Sequence, residues 1–137
     1  MAAGNVEMTF VAAEVLLLSR RGKLLLDVDI GRQMPLPFSF GGATVRQVLG
    51  MRSAFPADPT DALLESWHGI GLHTHRGIEE VLRRIDPGLR QGQLGGPQDF
   101  NNVNYLILGR LIEHVTGHPL AAVLRRDLII PAGLSRV

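Results

Sequence analysis

The segment that decides the fold is residues 100–134, with the sequence FNNVNYLILGRLIEHVTGHPLAAVLRRDLIIPAGL. Residues 103–115 are apolar on nearly every side of a helix, which is typical of a helix at the buried centre of a domain. Gly117 is placed to end this helix, Pro119 to be the first residue of the next one, and Pro131 to Gly133 to end that one. The segment therefore predicts two consecutive helices, the first of them enclosed by the rest of the protein.

The remainder of the chain also favours helices. Apolar residues at helical spacing predict a helix over 8–21 that Gly22 ends, and others over about 60–67 and 76–85. Thr44 is a suitable cap for a short helix that Gly50 closes, whereas residues 23–29 favour a short extended segment. Strand-forming sequence is almost absent, so a mainly α fold is expected.

Length and composition indicate a single domain over residues 1–137. The chain has 137 residues, is 45% hydrophobic and carries a net charge of +1, and its 14 basic and 13 acidic residues are spread along it. The charges form no basic patch of the kind that binds nucleic acid or an anionic membrane surface. Neither is expected as a partner.

The N-terminus and the cysteine count bear on compartment. Residues 1–8 carry no basic region, and the apolar run 15–18 is too short to span a bilayer, so no export signal is expected and a cytoplasmic location is the default. The chain has no cysteine, which rules out disulfides and thiol nucleophiles.

Two blocks resemble the serine β-lactamase, DD-peptidase and related esterase family. The first runs from Asn5-Val6-Glu7-Met8 through Phe10-Val11-Ala12-Ala13 to Arg21-Gly22-Lys23 and Asp27, where the family has Ser-x-x-Lys, Phe-x-Ala-Ala and Arg-Gly-Lys-Leu. The second begins at Phe100-Asn101-Asn102, where the family has Tyr-x-Asn. The resemblance implies the helical lobe of the β-lactamase/transpeptidase-like fold without most of its β-sheet, since the family's strands are expected before Asn5 and after Leu134.

The resemblance also predicts that the acyl-transfer residues are replaced. Its register puts Asn5 at the nucleophilic serine, Met8 at the lysine base, Phe100 at the tyrosine and Asn102 at the asparagine that binds the substrate amide. A carboxamide is not a useful nucleophile, and a thioether accepts no proton at neutral pH. Since Lys23 is the only lysine, no serine is followed by a lysine three residues later. No catalytic residue of the family is therefore expected to be intact except Asn102.

Asn102 has two interpretations, a ligand for an amide group or a cap for the helix that follows. The predicted function is a non-catalytic binding or assembly module of this family, without a cofactor. A small amide or ester is the ligand that the resemblance implies. Self-association is expected, because a lobe without its sheet exposes apolar surface.

Two alternatives stay open. One is an active serine hydrolase with a nucleophile foreign to the family, for which Ser53 or Ser39 beside His73 or His75 is the candidate set. The other is that the sequence is a piece of a longer protein. A metal site is not expected, because neither His73 with His75 nor His114 with His118 has an acidic third ligand in register.

Overall fold

The fold consists of helices that pack around one central helix. A computed structural model describes residues 4–36, 42–56, 93–101 and 103–134. These ranges contain α1 (Gly4–Arg20), α2 (Ile30–Gln33), α3 (Val45–Leu49), α4 (Val103–Thr116), α5 (Leu120–Leu124) and a π-helical segment (Arg125–Ile129) that continues α5. Within them, β-type pairing is limited to isolated bridge residues, and one such bridge joins Asp29 and Thr44. The prediction of a mainly α fold is confirmed for this part of the chain.

Helix α4 forms the centre of the core, as its all-round apolar sequence predicts. Five of its side chains are completely buried, namely Val103, Ile107, Leu108, Leu111 and Ile112. Buried side chains of α1, α3 and α5 belong to the same hydrophobic cluster. Burial of one large aliphatic side chain stabilises a fold by about 1.5–3 kcal/mol, so these contacts provide most of the driving force for packing.

Helix α1 begins earlier than the sequence pattern predicts and ends where predicted. It starts at Gly4 rather than residue 8, and it buries Val11, Val15 and Leu18. Beyond its last turn the Lys23 N–H donates to the Leu18 carbonyl at 2.9 Å, and Gly22 has a φ of 74°. This left-handed residue lets the chain turn and satisfies carbonyls that the helix leaves free.

The region between α1 and α3 differs from the expectation. Residues 23–29 form turns rather than an extended segment, and the short helix α2 follows them. Its cap is the Asp29 carboxylate, which accepts from the Gly31 N–H at 2.8 Å and from the Gly42 N–H at 3.0 Å. Helix α3 is capped by Thr44 as predicted, in a capping box with Gln47.

The C-terminal helix also departs from a simple α-helix. Pro119 lies at the N-cap of α5, one residue before the predicted position, and the hydrogen-bond register widens to π-helical from Arg125. The predicted helices over 60–67 and 76–85 lie outside the described residues. Among the helices of the described ranges, none combines the length and the apolar character needed to cross a bilayer.

Candidate functional site

The positions predicted for the nucleophile and the base both fall on the first turns of α1. Asn5 and Met8 are three residues apart in this helix and so share a face. The Met8 side chain is half-buried. Its thioether can fill an apolar gap but cannot accept a proton at neutral pH. By their chemistry, an amide and a thioether are neither a nucleophile nor a base.

The second predicted motif lies at the start of α4. Phe100 precedes this helix, and its ring, which carries no hydroxyl, is 62% exposed. Asn102 lies outside the described residues. The chain has one tyrosine, Tyr105, and its hydroxyl donates to the Leu49 carbonyl at 2.9 Å, while burial raises its pKa. Tyr105 therefore ties α4 to α3 and is not a free phenol beside Phe100.

Asn101 lies between the motif residues Phe100 and Asn102 in the sequence. Its importance was not predicted from the sequence. Its side chain is buried and its amide nitrogen donates to the carbonyls of Phe55 and Pro56, at 3.1 and 3.2 Å. Its amide oxygen accepts from the Val103 N–H at 3.0 Å. One side chain thus caps the start of α4 and fastens it to the loop after α3. The one signal for this role in the sequence is that Asn101 is a polar residue next to the start of a predicted helix.

Asn101 belongs to a buried polar network that spans two distant parts of the chain. The Ser53 hydroxyl donates to the Asn104 amide oxygen and accepts from the Phe55 N–H. The Asn104 amide nitrogen donates to the Asn101 carbonyl at 3.0 Å. Because these buried hydrogen bonds link residues 53–56 to Asn101 and Asn104, the network fixes the loop at residues 51–56 against α4.

The loop at this site has an unusual backbone. Met51 and Ala54 both have a φ of 56°, a left-handed conformation that costs a residue with a side chain about 1 kcal/mol or more. The loop borders a cavity of about 10 Å³, room for one water molecule. The cavity is lined by Met51, Ser53, Ala54, Phe55, Asp99, Asn101 and Asn104.

The candidate alternative nucleophile is part of this network. Ser53 is only 2% exposed, and its hydroxyl hydrogen is directed to Asn104. Among the described residues that line the cavity there is no histidine or lysine to act as its base. Ser39, His73 and His75 lie outside the described residues. Within the described residues, Ser53 therefore has a structural role.

The histidine pair in the C-terminal half is on the surface. His114 and His118 are both exposed, on either side of Gly117. Within the described ranges, no group of three or more His, Cys, Asp or Glu side chains is assembled as a metal site would need.

With this geometry in view, the class of protein follows from sequence comparison. The β-lactamase family profile matches residues 9–137, so the chain belongs to the β-lactamase family. The helices described above accordingly form the helical part of the β-lactamase/transpeptidase fold.

Individual relatives are distant and longer. Penicillin-binding protein 4* of Bacillus subtilis (strain 168) is 24% identical over 136 residues, which is 96% of this chain and 28% of that protein. Protein flp of Staphylococcus aureus (strain N315) is 26% identical over 114 residues, 78% of this chain and 21% of that protein. The chain thus spans less than a third of the length of these relatives.

Solved structures agree on the fold. An octameric penicillin-binding protein homologue from Pyrococcus abyssi has a TM-score of 0.76 at 20% identity, over 94% of this chain and 30% of that one. A D-stereospecific amidohydrolase from Streptomyces sp. has a TM-score of 0.74 at 22% identity, over 92% and 40%. The D-amino acid amidase from Ochrobactrum anthropi SV3, complexed with L-phenylalanine amide, has a TM-score of 0.71 at 24% identity, over 93% and 34%.

Proposed function

We propose that this chain is a non-catalytic β-lactamase-family domain whose helical lobe serves as a binding or assembly module. The observation that carries the proposal is the pair of residues on the first turns of α1, Asn5 and Met8, where the family has Ser-x-x-Lys. Acyl transfer needs a hydroxyl that attacks and an amine that takes its proton. Replacement of both by an amide and a thioether removes the bond-forming step itself.

Residues at the second motif support the same conclusion. Phe100 replaces the tyrosine that the family uses for proton transfer, and the only tyrosine, Tyr105, is engaged with the Leu49 carbonyl. Loss of one member of a cooperating catalytic group lowers kcat by about three to six orders of magnitude, and the losses of several members do not add. Turnover by the family mechanism is therefore expected to be undetectable.

The family binding role is proposed to survive in part through Asn102. An amide side chain at this position has both a donor and an acceptor for a small amide or ester ligand. The neighbouring residue Asn101 is held firmly, because its side chain bonds to the loop at Phe55 and Pro56. A rigid support of this kind is what a binding residue requires.

Self-association is the second part of the proposal. Several large apolar side chains are exposed in the described part of the chain, including Phe100 at 62%, Leu25 at 58%, Ile130 at 54% and Leu16 at 52%. Exposed apolar surface is covered most simply by a further copy of the same chain. The structurally similar Pyrococcus homologue is itself octameric.

The catalytic part of the proposal is tested by restoring the family residues. The double variant Asn5→Ser with Met8→Lys regains the hydroxyl and the amine, and Asn5→Ser with Met8→Leu is a matched control that has the hydroxyl without a base. Each protein is incubated with a fluorescent penicillin and with a chromogenic cephalosporin. We expect no labelling of the wild type or of the control. Labelling of the wild type at a serine would instead establish an active hydrolase with a nucleophile foreign to the family.

The assembly part is tested by sedimentation velocity at micromolar concentration. We expect a species larger than the 14.9 kDa monomer. The variant Phe100→Ser removes the most exposed of these side chains and should weaken association if that residue lies at the contact. A strictly monomeric wild type that stays soluble would contradict assembly and leave the catalytic conclusion untouched.

A further inference from the structure

Glu14 is a buried carboxyl group outside the candidate site. It lies on α1 with 0% of its surface exposed, and no N–H or hydroxyl group donates a hydrogen bond to either of its carboxyl oxygens. A carboxylate in such a place has lost its water and gained no donor in exchange, which strongly disfavours the charged form. The geometry alone therefore indicates that the folded protein holds Glu14 protonated.

The neighbour of Glu14 is a second carboxyl group, Asp127, from the π-helical segment. The Asp127 side chain is 6% exposed and bonds to Arg126 at 2.7 Å and to Arg21 at 3.4 Å. These partners, Arg126 foremost, lower its pKa to about 2. Asp127 thus stays ionised at any pH near neutrality, and it presents a negative charge to Glu14.

This environment sets the direction of the Glu14 titration. Burial raises the pKa of Glu14 most, followed by its hydrogen bond with Asp127 and by the charge of Asp127, and the result is a shift from 4.5 to about 7. The charges of Arg21 and Arg126 lower this pKa. Among the described residues, Asp127, Arg21 and Arg126 are the charged groups that act on Glu14. Because the raised pKa means that the folded state favours the proton, this contribution to stability is complete below about pH 4.5 and is lost as the pH rises through about 7.

We propose that Glu14 is a pH-sensitive latch, which holds residues 125–134 against α1 while it is protonated and releases them when it ionises. Ionisation would place two carboxylates side by side in a buried contact, and the chain can relieve this by moving one of them into water. Asp127 is the carboxylate that can leave, because it lies on the segment that is held less firmly.

The unequal attachment of the two helices is visible in their burial. Helix α1 has 17 residues and shares the core with α4, through Val11, Val15 and Leu18. Helix α5 also places three side chains in the core, namely Leu120, Val123 and Leu124, but residues 125–134 after it are all half-buried or exposed. The contacts that a segment loses when it opens locally set the free energy of that opening, so residues 125–134 should open before α1 does.

Amide hydrogen exchange measures this opening directly. A pKa of about 7 when closed and of 4.5 when open predicts that the opening equilibrium of residues 125–134 rises about 30-fold between about pH 5.5 and about pH 8.5. Exchange rates corrected for intrinsic chemistry at each pH give this ratio. Residues 103–112 of α4 serve as the internal reference, because they report global unfolding.

Two variants separate the latch from other causes. Glu14→Gln keeps the shape but cannot ionise, so opening of residues 125–134 should become independent of pH. Glu113→Gln is the matched control, since Glu113 is also a buried glutamate near this segment, where it accepts from the Leu120 N–H at 3.1 Å. It should retain the full pH response of the wild type, even if its overall stability is lower.

Three results would overturn the proposal. The first is wild-type protection of 125–134 that changes less than threefold over this pH range, and it needs no variant to fold. The second is an unchanged pH response in Glu14→Gln. The third is protection of residues 125–134 equal to that of residues 103–112 at every pH, since the segment would then open only when the whole domain unfolds.

Discussion

Replacement of Asn101 by alanine is the sharpest test of the buried network. The change removes the donor that reaches the carbonyls of Phe55 and Pro56 and the acceptor that receives the Val103 N–H. No other atom of the alanine side chain can replace these three hydrogen bonds. The substitution should therefore loosen the start of α4 and the loop after α3 together.

The size of the effect follows from the number of bonds lost. Each buried hydrogen bond contributes about 0.5–1.5 kcal/mol, so three bonds correspond to a loss of about 3 kcal/mol in the free energy of unfolding. For a domain of this length 1 kcal/mol moves Tm by roughly 3–5 °C, so we expect Tm to fall by about 10 °C.

Urea unfolding followed by far-UV circular dichroism measures this loss. The control is Gln98→Ala, which changes an exposed side chain three residues earlier and should stay within about 0.5 kcal/mol of the wild type. Asn101→Asp is a stricter comparison, because it keeps the acceptor but faces two carbonyls with a charge, so it should be at least as destabilising as alanine. If Asn101→Ala matched Gln98→Ala, the network would not hold the two segments together.

Three further outcomes are expected from single substitutions. Ala54→Gly removes the strain of a left-handed backbone at φ 56° and should raise the free energy of unfolding by about 0.5–1 kcal/mol in the same urea assay. A lower free energy of unfolding would show that alanine adopts this conformation without strain. Thr44→Ala removes the capping box of α3 and should lower stability by about 1 kcal/mol, whereas Thr44→Ser should restore most of it; equal stability of the two would refute the cap. Glu14→Gln should flatten the decline in unfolding free energy that the wild type shows as pH rises from about 5 to about 8, and a parallel decline in both proteins would exclude Glu14 as its source.

Features that depend on local sequence were predicted well. Helix α4 is central because its apolar residues leave it no face for water, and this can be seen in residues 103–115 alone. The ends of α1 and α3 follow from Gly22 and Thr44, whose preferences act within a few residues. The presence of Asn5 and Met8 in one helix likewise needs only the local sequence.

Features that depend on distant contacts were not predicted. Ser53 and Asn104 lie 51 positions apart, so nothing in either neighbourhood indicates that they are partners. Helix α2 was missed because four residues have little helical preference of their own, and its cap Asp29 is fixed by a bond to Gly42 from across the loop. The widening of the last helix at Arg125 was also missed, because one shifted hydrogen-bond register leaves no trace in the apolar spacing.

The central claim is that the chain lacks the acyl-transfer chemistry of the β-lactamase family. Intact-protein mass spectrometry after prolonged incubation with excess benzylpenicillin, and separately with a short-chain nitrophenyl ester, measures covalent acylation without depending on turnover. The account predicts that the mass of the wild-type protein stays unchanged with both reagents. A stoichiometric mass increase by one acyl group, mapped to a serine, would contradict it.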